Sequence, residues 1–140
     1  MDWEYKLAET GYRVTGPRRA VMEVLLRAEG PLSPCDILSR GQQFHQSLGL
    51  VTVYRALDLF AELGLVRKAH AAGGCHGYML SSPGHHHAVI CRGCARAVEF
   101  RGDDDLQSLI ERVEVETGFQ VQGHLLQLFG LCQDCQNRQS

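Results

Sequence analysis

Nowhere in its 140 residues does this chain hold an apolar run as long as a membrane-spanning helix, and Met1-Asp2-Trp3-Glu4 has neither the basic start nor the apolar stretch of a secretory signal. No membrane partner is expected, and the cytoplasm is the expected compartment. An excess of positive charge is also missing. The formal net charge of −2 argues against a wholly basic nucleic-acid binder. There is no internal repeat and no low-complexity tail, which excludes a solenoid or a long disordered array.

What is there is ordinary in bulk. At 44% hydrophobic and 21% charged, the chain is large enough for one domain, or for two small ones that need a metal or a partner to complete their cores. The charges are uneven. Residues 1–68 hold nine Lys/Arg against eight Asp/Glu and residues 69–140 five against eight, so the N-terminal half is the one better suited to meet phosphate.

Six cysteines in a reducing compartment favour metal thiolates over disulfides. Four of them form two Cys-x-x-Cys pairs, Cys91/Cys94 and Cys132/Cys135, each beside a strand-like run. Two thiolates at i and i+3 grip one edge of a metal, and a second pair completes the tetrahedral sulfur cage that suits structural zinc. The alternative is a thiol redox protein with two dithiols. Cys35, on a short helix opened by a proline, reads as a small core residue.

From Trp3 to Gly64 the apolar periodicity is helical. Thr15-Gly16-Pro17 and Ser33-Pro34-Cys35-Asp36 each supply a capping hydroxyl and a first-turn proline, and a fourth helix buries Val53, Ala56, Leu57 and Phe60 before Gly64. Its other face shows Thr52, Tyr54, Arg55 and Asp58. Leu65–His70 and Tyr78–Leu80 read as strands around a turn at Ala71–Gly74, so the half as a whole describes a winged helix-turn-helix. In such a unit Tyr54 can meet a thymine methyl and Arg55 a base edge or phosphate. Arg13, Arg18 and Arg19, with no acid among them in sequence, are placed for the DNA backbone.

The second half reads as a small α/β unit. Ala88–Cys91 and Ala95–Phe100 are strand-like, Asp103 opens a helix with Leu106, Leu109, Ile110 and Val113 on one face, Gly118 ends it, and Phe119–Leu131 alternates again. The fold class is therefore α+β, with domains at 1–82 and 83–140 meeting near Ser81-Ser82-Pro83-Gly84. His85, His86 and His87 precede the first cysteine pair. On a strand His85 and His87 face one way and His86 the other, so two metal sites could draw on one segment. Cys75, His76, His70, Glu99, Asp103 to Asp105 and His124 are candidates to complete them, whereas His45 stands alone and reads as a surface or core residue.

In combination, Gly11-Tyr-Arg-Val-Thr-Gly-Pro-Arg18, Thr52-Val-Tyr-Arg55, Glu62-Leu-Gly-Leu-Val66, the histidine triplet before Cys91, Gly123-His124 and Gly130-Leu-Cys132 resemble the ferric uptake regulator family over almost the whole chain. That resemblance implies a homodimeric, metal-dependent repressor bound to a double-stranded DNA operator, with an N-terminal winged helix and a C-terminal dimerisation domain. It implies that Cys91, Cys94, Cys132 and Cys135 hold structural zinc. It also implies that His85, His87 and His124, with an acid near Asp105, bind metal within the dimerisation domain, and that His86 and Glu99 belong to a regulatory site at the hinge. One position departs from the family's pattern. Ala88 stands where a further histidine is usual, which leaves Cys75 and His76 as replacement ligands. A thiolate with imidazoles suits zinc better than iron or manganese. A second divalent metal, zinc, and the zinc uptake regulator branch are accordingly the expectation, with an iron- or peroxide-responsive member as the alternative. A zinc hydrolase or deaminase is disfavoured because no proline precedes Cys91 or Cys132, and the H-x-E followed by P-C-x-x-C pattern is absent.

Overall fold

A computed structural model describes residues 2–70, 76–81, 86–102 and 106–139. Four helices come first: α1 (Trp3–Glu9), α2 (Gly16–Arg27), α3 (Pro34–Gly41) and α4 (Leu50–Glu62). Each of the first three opens on a side chain that accepts an otherwise unbonded amide, Asp2 from Tyr5, Thr15 from Arg18 and Ser33 from Asp36. Leu7, Val21, Met22, Ile37, Val53, Leu57 and Phe60 make one core, and Trp3 stands edge-on to Phe60 with ring centroids 6.0 Å apart. Cys35 lies outside that core. It is exposed, because Ile37 rather than Cys35 takes the inward position on α3.

A hairpin follows, β1 (Val66–His70) antiparallel to β2 (His76–Leu80), with Val66 opposite Leu80. Leu32 adds a single bridge to Tyr78, its amide and carbonyl both bonded there at 3.0 and 2.8 Å. These pieces have the arrangement of a winged helix. The turn at Ala71–Gly74 lies outside the described residues.

Three further strands make the second sheet, in the order β4 (Ala97–Arg101), β3 (His86–Cys91), β5 (Gln127–Gly130). β3 is antiparallel to β4 and parallel to β5, with Cys91 opposite Gly130. Two helices complete the chain, α5 (Gln107–Thr117) before β5 and α6 (Gln133–Gln139) after it.

Several expectations are corrected here. Strand occupies only Gln127–Gly130 of the alternating run Phe119–Leu131, because among the described residues only that stretch finds a partner strand, β3. No side chain caps α5, whose N-cap is Leu106, and Asp103 is outside the described residues. The helix does end at Gly118, in a left-handed conformation at φ 75°. None of its residues is fully buried: of the face expected to carry Leu106, Leu109, Ile110 and Val113, Leu109 is exposed and the other three are half-buried. Helix α6 was not anticipated.

The segment after α2 meets the second sheet backbone to backbone. The amide of Ala97 donates to the Glu29 carbonyl at 2.9 Å, and a Cβ placed on Gly30 would overlap the carbonyl oxygen of Ala95. Ala95 itself sits at φ 66°, uncommon for a residue with a side chain. Gly30→Ala is expected to lower stability by about 2 kcal/mol in urea denaturation, since backbone on both sides must move. Gly123→Ala, with open space around it, should change it by less than about 0.5 kcal/mol.

Candidate metal centre and nucleic-acid face

The parallel register of β3 with β5 brings the two cysteine pairs to one end of the sheet. Cys91 ends β3 opposite Gly130, so Cys132, two residues further on, arrives beside it, and the first turn of α6 returns Cys135. All four sulfurs lie within 4.8 Å of one another, with Cys94 Sγ and Cys132 Sγ 3.8 Å apart. Gly93 is small for a reason: a Cβ there would stand 2.7 Å from Cys135 Sγ.

Crowding and hydrogen bonding divide these thiols electrostatically. The Cys132 amide, 3.3 Å from Cys91 Sγ, and the amides of Cys94 and Gly93 pull the Cys91 thiol down to about 6, against the opposing effect of burial. Cys135 is pushed up to about 12, first because its thiol donates to the Cys91 sulfur and then through Cys132 and its own burial. One sulfur is thus anionic while its neighbour keeps a proton. Arg96 is held more firmly protonated by Cys132 and Cys94, and its guanidinium lies 3.5 Å from Asp134. The donor set fits a soft, tetrahedral divalent ion such as zinc.

Beyond the cysteines, β3 is two-sided as expected. His87, 3% exposed, lies opposite Phe100, and its ring stands 5.4 Å from that of His124 and 5.5 Å from that of Phe100. His85 and Asp105, assigned to the same group, lie outside the described residues. On the other face, Ala88 pairs with Glu99, next to His86. His86 Nδ1 is buried with no hydrogen-bond partner among the described residues. Ala88 packs with Ala69, Met79 and Ile90, so the position that would offer an imidazole is part of the apolar contact between the two sheets. Cys75 lies outside the described residues. For His76 only the backbone is described, paired with His70. The His70 amide is itself engaged, donating to Gln127 Oε1 at 3.0 Å. His45 contacts Ser47 and Gly16 and joins no cluster of ligands among the described residues.

The outward face of α4 shows Tyr54, 45% exposed, and Arg55, with Thr52 half-buried. The sequence reading passed over Leu50 and Val51, apolar yet exposed at the start of the same helix. Their presence in the otherwise core-like run Leu50-Val-Thr-Val-Tyr54 is the signal that could have found them. Arg13 is exposed and its carbonyl accepts from Arg18 Nη1 at 2.7 Å, while Arg18 also lies over the Tyr12 ring. The cluster is not acid-free in space, because Glu4 of α1 pairs with Arg19.

Residues 9–129 match the sequence profile of the ferric uptake regulator family. The chain belongs to that family. It is a metal-dependent transcriptional regulator and not an enzyme. The ferric uptake regulation protein of Neisseria meningitidis serogroup A / serotype 4A is 30% identical over 132 residues, covering 94% of this chain and 91% of the relative. The peroxide operon regulator of Bacillus subtilis is 32% identical over 136 residues, covering 96% and 91%. Among solved structures, a zinc uptake regulator complexed with zinc and DNA superposes with a TM-score of 0.80 at 25% identity, over 98% of this chain and 92% of that one. Holo XcZur gives 0.74 at 28% identity, over 96% and 94%.

Zinc added to the metal-free protein is expected to bind one ion per chain at the four cysteines and to displace the proton held on Cys135. Protons compete with the metal for thiolate, so affinity should fall as the pH is lowered, and more steeply below about 6, where Cys91 has regained its proton. Competition with a chromophoric chelator across that range would measure it, and a pH-independent affinity would exclude thiolate coordination. Cys94→Ser should lose the ion and destabilise the C-terminal half.

Proposed function

We propose that this chain is a zinc-responsive repressor of metal-uptake genes, acting in the cytoplasm as a homodimer on a double-stranded DNA operator. The observation that carries the reading is the α4 face, where Tyr54 and Arg55 project from a helix packed on its other side by Val53, Ala56, Leu57 and Phe60. Its support is the likeness to a regulator solved with zinc and DNA. On this reading residues 1–82 form the DNA-binding domain and 83–140 the dimerisation domain. Leu50, Val51 and Tyr54 face base edges and thymine methyls, Arg55 a base or phosphate, and Arg13, Arg18 and Arg19 the flanking backbone.

A second copy is expected on the C-terminal half, because large apolar side chains stand in water there: Val115 is 86% exposed, Phe119 73% and Leu125 76%. With no fully buried residue on α5 and Ile110 and Val113 only half-buried, a partner's equivalent surface would remove this area from solvent. Cys91, Cys94, Cys132 and Cys135 would hold structural zinc. His86 and Glu99, completed by Cys75 and His76, would take the regulatory ion, and His85, His87, Asp105 and His124 a second one within the dimerisation domain. Metal at the hinge would fix each winged helix relative to the dimer core, so that metal and DNA strengthen each other's binding reciprocally.

An iron- or peroxide-responsive regulator is the second reading, favoured by the relatives with those names at 30% and 32% identity. DNA-binding titrations under zinc, iron and manganese separate the two. Arg55→Ala is expected to weaken operator binding by about tenfold while leaving metal content and dimerisation intact, and Tyr54→Phe to weaken it less. If Arg55 meets phosphate, the salt slope should fall by about one; if it reads a base, specificity should relax. Unchanged affinity in both variants would remove α4 from the interface.

A further inference from the structure

The hinge already contains a cation. Arg67 of β1 reaches across to the second sheet, where Nη2 donates to the His86 carbonyl at 2.8 Å and Nε stands 3.8 Å from Glu99 Oε1. Both side chains are largely withdrawn from water, Arg67 22% exposed and Glu99 12%. Beside them Ala69, Met79, Ala88 and Ile90 pack together with Ala97, so the pair borders an apolar contact between the hairpin and the second sheet. Arginine suits such a place, since its charge is not removed by deprotonation and its planar fork can bond a carbonyl and a carboxylate at once.

We propose that Arg67 competes with the hinge metal: its guanidinium engages Glu99 and the backbone of His86, the two residues from which a divalent ion would draw its ligands. This rests on the regulatory role proposed for His86 and Glu99. A divalent ion held by His86 Nδ1 and a Glu99 oxygen would lie within a few ångströms of the guanidinium, in a region where water screens little, and like charges there repel strongly. Metal therefore binds only by loosening Arg67 from Glu99. With Ala88 supplying no imidazole, fewer ligands are available to drive that exchange. Arg67 raises the metal concentration at which the chain responds, and it holds the hairpin against the second sheet until the ion replaces it.

The full-length protein, its cysteine site first filled, would be titrated with zinc alone, and the second zinc per chain assigned by its loss in His86→Ala. Arg67→Gln, which keeps a donor for the His86 carbonyl but removes the charge, should bind that second zinc about tenfold more tightly than the parent. Arg67→Lys, which restores a charge, should return toward the parent value. Arg67→Ala should behave as Arg67→Gln does, and if it fails to fold Arg67→Gln decides. An unchanged or weaker second-site affinity in Arg67→Gln, with a second zinc still lost in His86→Ala, overturns the competitor role and leaves the regulatory site standing. If neither parent nor Arg67→Gln binds a second zinc that His86→Ala removes, the regulatory reading fails and the competitor falls with it.

Discussion

Four sulfur atoms within 4.8 Å of one another cannot all be anionic unless a cation lies among them. Most of the second half of the chain is arranged around that constraint. The amides of Cys132, Cys94 and Gly93 stabilise one thiolate on Cys91, while the neighbouring Cys135 thiol is held more firmly to its own proton. Holding the sulfurs together requires β5 to run parallel beside β3, a pairing that needs the crossover through α5. It also requires the tight turn in which Gly93 has no side chain and Ala95 takes a left-handed conformation. That turn pushes the Ala95 carbonyl toward Gly30, so the sulfur cluster and the end of α2 are mechanically adjacent.

Strand β3 is the second organising feature. Its alternation sends His87 toward Phe100 and His124, and turns His86 and Ala88 toward Glu99 and the hairpin. One strand thereby serves the interior of its own sheet and the boundary with the other. At that boundary the contacts are mostly small and apolar, and the charged exception is the Arg67 and Glu99 pair. On the proposed reading, one bound ion would bias this boundary and give it the defined geometry that a two-state regulator needs.

Helix-by-helix, the N-terminal half was legible because its signals are local. Thr15, Ser33 and the first-turn prolines act within four residues of themselves, and the apolar spacing of Val53, Ala56, Leu57 and Phe60 identifies one face of one helix. The two Cys-x-x-Cys pairs were legible for the same reason, as was the opposition of His86 to His87, which follows from the two-residue period of any strand. Local signals fail where burial depends on a distant partner. The run Phe119–Leu131 begins with strand-like alternation, yet only Gln127–Gly130 finds an edge of β3.

Other properties arise from residues far apart in the chain, and no window of sequence contains both members. Cys35 is exposed because the core of α3 closes over Ile37. Arg19 is paired because α1 folds back to present Glu4, fifteen residues earlier. Arg67, on a strand of the hairpin, finds its partners in a carbonyl and a carboxylate that belong to β3 and β4. Ala88 shows the difference most directly: its departure from the family's pattern is visible in the sequence. That the vacated position is packed by Ala69, Met79 and Ile90, with Arg67 bound to Glu99 nearby, follows only from the way the hairpin meets the second sheet.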